Sequence, residues 1–323
     1  HRHGPPAEVL RLDDVPTPEP GPGEVRLRLT HRPLHPADLS MVRGTYGRSR
    51  DLPAVGGNEG FGVIDAVGEG VADLAVGQRA IKLGEAPTWQ EAVVLPEADV
   101  FAVPDALSDT DAAQLFVNPL TAWLLHGAAP PRLGDVLVQT AGASAVARIA
   151  AQMAVRAGAR AVSIVRRDDH RDRLEALGVH VVVADANTSE TRAALREAVG
   201  ADGAAAVFDP VAGEVGALAL SALREGGTHI VYGALSGEPL PVSPAALIYR
   251  DVTVRGVWRT QWASRAPSDT IHDPLRVLTA FAVAGAYTLP DSAYSSLLDQ
   301  RSLVQQAGMA FRFGSGGRGG RGD

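Results

Sequence analysis

The stretch DVLVQTAGASAVA, residues 135–147, decides the fold of this chain. Its first five residues, with the apolar Val136-Leu137-Val138 at their centre, predict a buried strand, and a helical pattern follows from Ser144 to Ala157. A turn between such a strand and a helix leaves free backbone N–H groups at the helix N-terminus, where they can face an anion. The turn is therefore the first candidate for a nucleotide-phosphate site.

The alternation of strands and helices continues over the next hundred residues. Strands are predicted at 135–139, 161–165, 181–183, 205–208, 229–232 and 252–257, and helices at 144–157, 171–177, 193–199 and 215–223. Because strands that alternate with helices at this spacing form a parallel sheet covered on both faces, we expect an α/β fold of the doubly wound, Rossmann kind.

The first hundred residues follow a different pattern. Their short apolar runs, separated by turn residues, predict strands at 25–29, 61–68, 91–95 and 100–103. After Trp258 we expect a helix over 274–284 and a solvated Gly- and Arg-rich end over 314–323. The predicted domains are a β-rich domain over 1–110, a dinucleotide-binding domain over 111–257, and a return to the first domain over 258–323.

Composition excludes several classes of protein. Cysteine is absent from the 323 residues, which removes disulfides, thiol nucleophiles and Cys-ligated zinc. Lys and Arg number 30 against 37 Asp and Glu, so the net charge of −7 argues against nucleic-acid binding. No apolar run reaches the roughly 18 residues of a membrane span. We expect a cytoplasmic protein, or a mitochondrial one if a leader precedes this chain.

The predicted phosphate turn is short of glycines. Its candidate ligands are Gly142, Ala143, Ser144, Ala145 and Val146, of which only the first is glycine. Glycines are expected where backbone approaches phosphate closely, so a purely structural turn stays open as an alternative. A serine hydrolase is disfavoured, because the second glycine of a G-x-S-x-G elbow is missing.

Two arginines follow the second predicted strand of the parallel sheet. Enzymes that use NAD usually place an acidic residue there to bind the ribose 2′-hydroxyl. Arg166 and Arg167 suit a 2′-phosphate instead, which favours NADPH over NADH. The alternative is a solvated basic pair neutralised by Asp168 and Asp169.

Six strings, spread over nearly the whole chain, resemble one superfamily. They are HPADLSMVRGTYG (35–47), LPAVGGNEG (52–60), TWQEA (88–92), VNPLTAW (117–123), GGTHIVYG (226–233) and RGVWRTQW (255–262). The chain resembles the medium-chain dehydrogenase/reductase superfamily and, within it, the trans-2-enoyl thioester reductases. The resemblance implies that the β-rich domain is a GroES-like catalytic domain.

The resemblance also implies chemistry without a metal. Zinc-dependent members of the superfamily have a histidine ligand in a Gly-His-Glu string, where this chain has Asn58 between Gly57 and Glu59. With no cysteine in the chain, neither a catalytic nor a structural zinc site can be assembled at the expected positions. We therefore expect no metal.

Further site residues follow from the resemblance. Tyr46 corresponds to the family's tyrosine that orients the substrate and takes part in protonation or carbonyl polarisation. Trp258 opens a Trp-Leu-Ser-Gln-Trp-like string beside the cleft, and Asn58 either lines that cleft or closes a turn. The residues implied on the nicotinamide side are Asn118, Thr121, Tyr232 and Gly233. The chain departs from the family where Gly-Val-Gly becomes Ala145-Val146-Ala147, which predicts a shifted or weakened cofactor turn.

The first hypothesis is a zinc-independent, NADPH-dependent reductase of an activated C=C bond. Its substrate would be a 2-enoyl thioester of coenzyme A or acyl carrier protein, with hydride added to C3 and a proton to C2. A quinone or enone reductase is the second hypothesis, and a non-redox homologue that kept the fold is the third. The resemblance further implies a homodimer paired through the strand at 252–257.

Overall fold

The computed structural model of the protein describes residues 1–265 and 269–289. The chain first forms five strands, β1 Glu24–His31, β2 Phe61–Val67, β3 Arg79–Lys82, β4 Ala92–Pro96 and β5 Val100–Ala102. They pair antiparallel in the order β4-β1-β2-β3-β5. Along β1 the apolar Val25, Leu27 and Leu29 are buried while their neighbours face outward, which is the pattern of a strand with one face on the core.

Six further strands form a parallel sheet. They are β6 Val136–Gln139, β7 Arg160–Val165, β8 Val179–Val183, β9 Ala204–Asp209, β10 Leu223–Val231 and β11 Thr253–Gly256. Their order is β11-β10-β9-β6-β7-β8, and every neighbouring pair is parallel. Strands β7 and β8 are added on one side of β6, and β9, β10 and β11 on the other. The sheet therefore has a switch point between β6 and β9, and ligands of such sheets bind at this position. The predicted fold class, a Rossmann sheet with a β-rich GroES-like part, is confirmed.

Helices cover the two sheets and connect them. They are α1 Pro6–Val9, α2 Pro36–Arg43, α3 Asp109–Ala113, α4 Val117–Ala128, α5 Ala145–Arg156, α6 Arg171–Glu175, α7 Ser189–Val199, α8 Gly213–Ser221, α9 Pro244–Tyr249, α10 Arg259–Arg265 and α11 Asp269–Val283. One apolar core contains Phe61 and Ile81 of the antiparallel sheet together with Leu137 and Phe208 of the parallel sheet. No described helix is both long and apolar enough to cross a membrane.

Some predicted elements differ from those in the structure. Strand β10 begins at Leu223, six residues before its predicted start, and shows a register shift between Leu223 and Thr228. Helix α11 begins at Asp269 and holds Pro274 inside it, whereas the proline was predicted to start the helix. The short strand β3 and helix α2 were not predicted, whereas α4 begins at Val117, next to Asn118 and Thr121, where the sequence predicts the start of a helix. The bounds of the three domains stay predictions, and the Gly- and Arg-rich end lies outside the described residues.

Candidate active site

The predicted phosphate turn connects β6 to α5 and packs tightly against the neighbouring strand. The N–H of Gly142 donates to the carbonyl of Ile164 at 2.9 Å. A Cβ at Gly142 would lie 2.3 Å from the Cβ of Ser163, so only glycine fits at this position. Ala141 adopts a left-handed backbone conformation with φ of 47°. The turn therefore needs its one glycine for close packing on β7.

The start of α5 has backbone donors to offer. Ser144 caps the helix, and its Oγ accepts from the N–H of Ala147 at 3.4 Å. Among the described residues, nothing accepts from the N–H groups of Ala145 and Val146, and both residues, like Ala143, are partly exposed. Free N–H groups at the positive end of a helix suit an anion. The turn thus fits a dinucleotide phosphate despite its two alanines.

The arginine pair stands at the end of β7, where it was predicted. Arg166 and Arg167 are both exposed. Arg167 donates to Asp169 at 3.2 Å, but Asp168 accepts instead from Arg171 at 2.7 Å. The two acidic neighbours therefore do not neutralise both arginines. The arginine pair can still donate a hydrogen bond to a phosphate next to the turn.

The carboxyl ends of β9 and β10 complete this side of the cleft. The backbone N–H of Tyr232 donates to the carbonyl of Asp209, and the Tyr232 hydroxyl is buried. Burial raises the pKa of Tyr232 and keeps it neutral. A Cβ at Gly233 would lie 2.8 Å from the carbonyl of Pro210, so the loops after the two strands approach closely. Both predicted residues thus lie at the switch-point edge of the parallel sheet.

Tyr46 and Trp258 meet in the structure although 212 residues separate them. The Nε1–H of Trp258 donates to the Tyr46 hydroxyl oxygen at 2.9 Å, and the two rings meet edge to face with centroids 5.9 Å apart. Both side chains are partly exposed. Because Trp258 occupies the oxygen as an acceptor, the hydroxyl proton of Tyr46 can be donated to another group.

The Asn58 side chain is hydrogen-bonded to neighbouring residues at both ends of its amide. Its Nδ2 donates to Asp38 at 2.6 Å, and its Oδ1 accepts from Arg50 at 3.3 Å. The ammonium group of Lys82 donates to the backbone carbonyl of Asn58 at 2.9 Å. Of its two predicted roles, the geometry favours closing the turn over contacting substrate.

Glu59 links the two halves of the molecule, and the sequence did not single it out. It is fully buried, and its Oε1 accepts from the N–H groups of Phe116 and Val117, both at 2.9 Å, at the start of α4. Its Oε2 bonds His35 Nε2 at 2.6 Å. Burial opposes the positive charge on His35, but the hydrogen bond to Glu59 and the negative charge of Glu59 outweigh burial. The pKa of His35 is therefore raised. Glu59 therefore fixes the position of α4 against the antiparallel sheet.

The helix held by Glu59 carries the predicted nicotinamide-side residues. Asn118 is buried in its first turn, and the Thr121 hydroxyl donates to the carbonyl of Val117 at 2.6 Å. The Phe116 ring, just before the helix, lies under the guanidinium of Arg259, whose central carbon is 4.9 Å from the ring centroid. The start of α4 is thus brought together with the residues that follow Trp258.

Positive charge is concentrated beside this helix start. Burial and the like charge of Arg259 lower the pKa of Lys82 to about 7, and burial also lowers the pKa of Arg259. Neither residue was predicted, because a lone lysine at a strand end and an arginine within an aromatic string carry no sequence signal of their own. Within residues 1–265 and 269–289, no three His, Asp or Glu side chains are grouped to hold a metal ion.

Comparison with known proteins places the chain in a family. The alcohol dehydrogenase GroES-like domain model matches residues 21–105, and the zinc-binding dehydrogenase model matches residues 145–272. A mitochondrial enoyl-acyl-carrier-protein reductase of Xenopus tropicalis is 33% identical over 331 residues, covering 96% of this chain and 91% of the relative. The chain belongs to the enoyl thioester reductase family of the medium-chain dehydrogenases/reductases. The predicted family and oxidoreductase class are therefore confirmed.

Solved structures of similar proteins agree with this membership. A mycobacterial protein complexed with NADPH superposes with a TM-score of 0.82 at 26% identity, covering 95% of each chain. The mitochondrial 2-enoyl thioester reductase heterodimer of Candida tropicalis gives a TM-score of 0.79, covering 94% of this chain and 95% of the other, and its 22% identity shows the shared fold. An NADPH complex among these structures is in agreement with the predicted cofactor.

Proposed function

We propose that this enoyl thioester reductase family member reduces the C2=C3 bond of a 2-enoyl thioester with NADPH and without zinc. The observation that carries the proposal is the Tyr46–Trp258 hydrogen bond of 2.9 Å, which leaves a tyrosine proton available in a cleft beside the start of α4. The naming of the 33% identical Xenopus relative as an enoyl-acyl-carrier-protein reductase supports the thioester class.

The cofactor would lie along the switch-point edge of the parallel sheet. Gly142 and the N–H groups of Ala145 and Val146 would hold its pyrophosphate, and Arg166 with Arg167 its 2′-phosphate. When bound there, NADPH supplies the hydride that C3 of the substrate receives. Residues that would border the nicotinamide are Asn118, Thr121, Tyr232 and Gly233.

Tyr46 would act at the carbonyl end of the substrate. As negative charge develops on the thioester oxygen, a hydrogen bond from the Tyr46 hydroxyl stabilises it, and Trp258 holds that hydroxyl in place. The proton that C2 takes up can come from the same hydroxyl, which then recovers a proton from solvent. Both ends of the double bond are thereby saturated.

The turn at Asn58 supports zinc independence. Its side chain replaces the histidine of the zinc-dependent string and is held between Asp38 and Arg50 at 2.6 and 3.3 Å. An amide is not among the cysteine, histidine and carboxylate ligands that zinc prefers, and these two hydrogen bonds already hold both ends of the Asn58 amide. The proposed stabilisation of the substrate oxygen therefore relies on hydrogen-bond donors.

We also propose that two copies pair through β11. This strand lies at one edge of the parallel sheet, and α9 beside it exposes Leu247 and Ile248, with 45% and 69% of their surface accessible. Exposed apolar side chains next to an open strand edge favour association. Ile248→Lys should convert a dimer into a monomer in light scattering, and a monomeric starting protein would contradict the proposal.

The experiment that tests the function is a turnover assay. NADPH absorbance should fall when crotonyl-CoA is added to the protein treated with a metal chelator, and NADH should replace NADPH poorly. Faster turnover with a quinone than with crotonyl-CoA would favour the second hypothesis. A folded protein that consumes NADPH with neither substrate would favour the non-redox homologue.

A further inference from the structure

Arg259 has an unusual environment for a partly buried arginine. It begins α10 directly after Trp258, and its guanidinium lies over the Phe116 ring at 4.9 Å from the centroid. In the part of the chain that the structure describes, no hydrogen bond or ion pair joins its side chain to another residue. A guanidinium has five N–H donors, and leaving them without acceptors in a partly desolvated cleft is costly.

The acidic groups that face Arg259 are bound elsewhere. Asp38 accepts from the N–H of His35 at 2.7 Å and from Asn58 at 2.6 Å. Glu59 accepts from the start of α4 and bonds His35 at 2.6 Å. Glu85 pairs with Arg48 at 3.4 Å. Because none of these carboxylates bonds Arg259, its positive charge remains available to a ligand.

Two further groups determine which ligand fits. Lys82 is buried beside the same turn, adds a second basic group to this region, and donates to the carbonyl of Asn58 at 2.9 Å. The Tyr46 hydroxyl accepts from Trp258, the residue before Arg259, at 2.9 Å, so the phenol and the guanidinium lie in the same part of the cleft. A guanidinium next to a neutral hydroxyl donor, with a basic group behind it, is complementary to a negatively charged oxygen.

We propose that Arg259 is a substrate-binding residue that donates to an anionic oxygen of the substrate beside the Tyr46 hydroxyl. The proposal rests on the proposed function and deepens it. One source of such an oxygen is the reacting thioester: hydride addition at C3 moves the C2=C3 electron pair between C1 and C2 and the carbonyl pair onto oxygen. The other source is a carboxylate at the far end of the acyl chain. The shared chemistry is a charge-assisted hydrogen bond from the guanidinium to an oxyanion.

Substitution of Arg259 tests the proposal. Arg259→Leu introduces the residue of the resembled string, and Arg259→Lys keeps the charge without the planar fork. Arg265→Leu, at the exposed end of the same helix, is the matched control. If the oxygen is that of the thioester, Arg259→Leu lowers kcat with crotonyl-CoA by about 10²-fold at nearly unchanged KM, and Arg259→Lys recovers part of it. Arg265→Leu should match the wild type.

The carboxylate source predicts a different pattern. The wild type should then prefer glutaconyl-CoA to crotonyl-CoA in kcat/KM by at least about tenfold, and Arg259→Leu should abolish the preference. Binding gives a readout apart from turnover: calorimetric titration should show that glutaryl-CoA binds the wild type more tightly than butyryl-CoA does. Either pattern supports the proposal.

The proposal is overturned if Arg259→Leu and Arg259→Lys keep wild-type kcat, KM and binding for every one of these thioesters. This outcome differs from failure of the proposed function, in which the wild type itself reduces none of them. If the wild type reduces none of these thioesters, binding decides: equal affinity of wild type and Arg259→Leu for glutaryl-CoA would overturn the proposal as well. Circular dichroism confirms that each variant is folded.

Discussion

The cofactor turn and the charged cleft are built in opposite ways. At the turn between β6 and α5, the groups offered to a ligand are backbone N–H groups of neighbouring residues, positioned by Gly142 and Ser144. In the cleft, the working groups are side chains such as Tyr46, Glu59 and Arg259, which are brought together from distant parts of the chain. A backbone site tolerates changes of side chain, whereas a side-chain site depends on each residue.

This contrast explains how a turn with two alanines in place of glycines can still fit a phosphate. Among the described residues the N–H groups of Ala145 and Val146 have no acceptor, because the first N–H groups of a helix have no partner within it whatever their side chains. The cleft has no such redundancy, since in the described part of the chain the two N–H groups at the start of α4 both donate to Glu59. Substitutions should therefore cost more in the cleft than at the turn.

The largest effect is expected at Glu59. Glu59→Gln keeps the shape but removes the buried charge opposite His35 and replaces an acceptor with a donor. The free energy of unfolding should fall by about 3 kcal/mol in urea denaturation. Glu91→Gln, at an exposed glutamate, is the control and should leave it unchanged. If Glu59→Gln lowers the free energy of unfolding no more than the control does, the proposed difference between cleft and turn is wrong.

Tyr46 should affect catalysis rather than folding. Tyr46→Phe removes the hydroxyl that Trp258 holds at 2.9 Å, and kcat with crotonyl-CoA should fall by about 10²-fold. Trp258→Phe keeps an aromatic ring but loses the N–H donor and part of the ring contact, while the Tyr46 hydroxyl itself remains, so the fall in kcat should be smaller. Unchanged turnover of Tyr46→Phe, with a normal Tm, would exclude the tyrosine from the reaction.

The sequence predicted the cofactor turn better than the charged cleft. The Rossmann sheet was predictable because strand, turn and helix in residues 135–147 are adjacent in the chain, and so was the position of Arg166 and Arg167. The Tyr46–Trp258 pair was accessible only through family resemblance, since 212 residues separate its members. Glu59, Lys82 and Arg259 were missed because burial and charge pairing arise from tertiary packing, which periodicity does not report.

Lys82 gives the cleft a pH dependence that the turn lacks. Its pKa of about 7 in the folded state lies below the unfolded value of 10.5, so the unfolded state binds more protons between these values and stability rises with pH there. Lys82→Met removes the titrating group, so the free energy of unfolding of the variant lacks this rise with pH. Between pH 7 and pH 8.5 it should therefore fall by about 1.5 kcal/mol relative to that of the wild type. A stability difference that stays constant with pH in urea denaturation would show that Lys82 is not perturbed.

The smallest effect is expected at the exposed arginines of the turn. Arg167→Ala should raise the KM for NADPH about fivefold, because a charge-assisted hydrogen bond to the 2′-phosphate is lost while Arg166 remains. The KM for NADH should not change, since NADH has no 2′-phosphate. Equal effects on the two cofactors would mean that the arginine does not contact that phosphate.

The most direct test of the account is a fluorescence titration of the folded protein with the two reduced nicotinamides. If the turn from Gly142 to Val146 holds the pyrophosphate and the arginine pair the 2′-phosphate, NADPH should bind at least about tenfold more tightly than NADH. Failure to bind either cofactor, in a protein that circular dichroism shows to be folded, would contradict a reductase and leave only the shared fold.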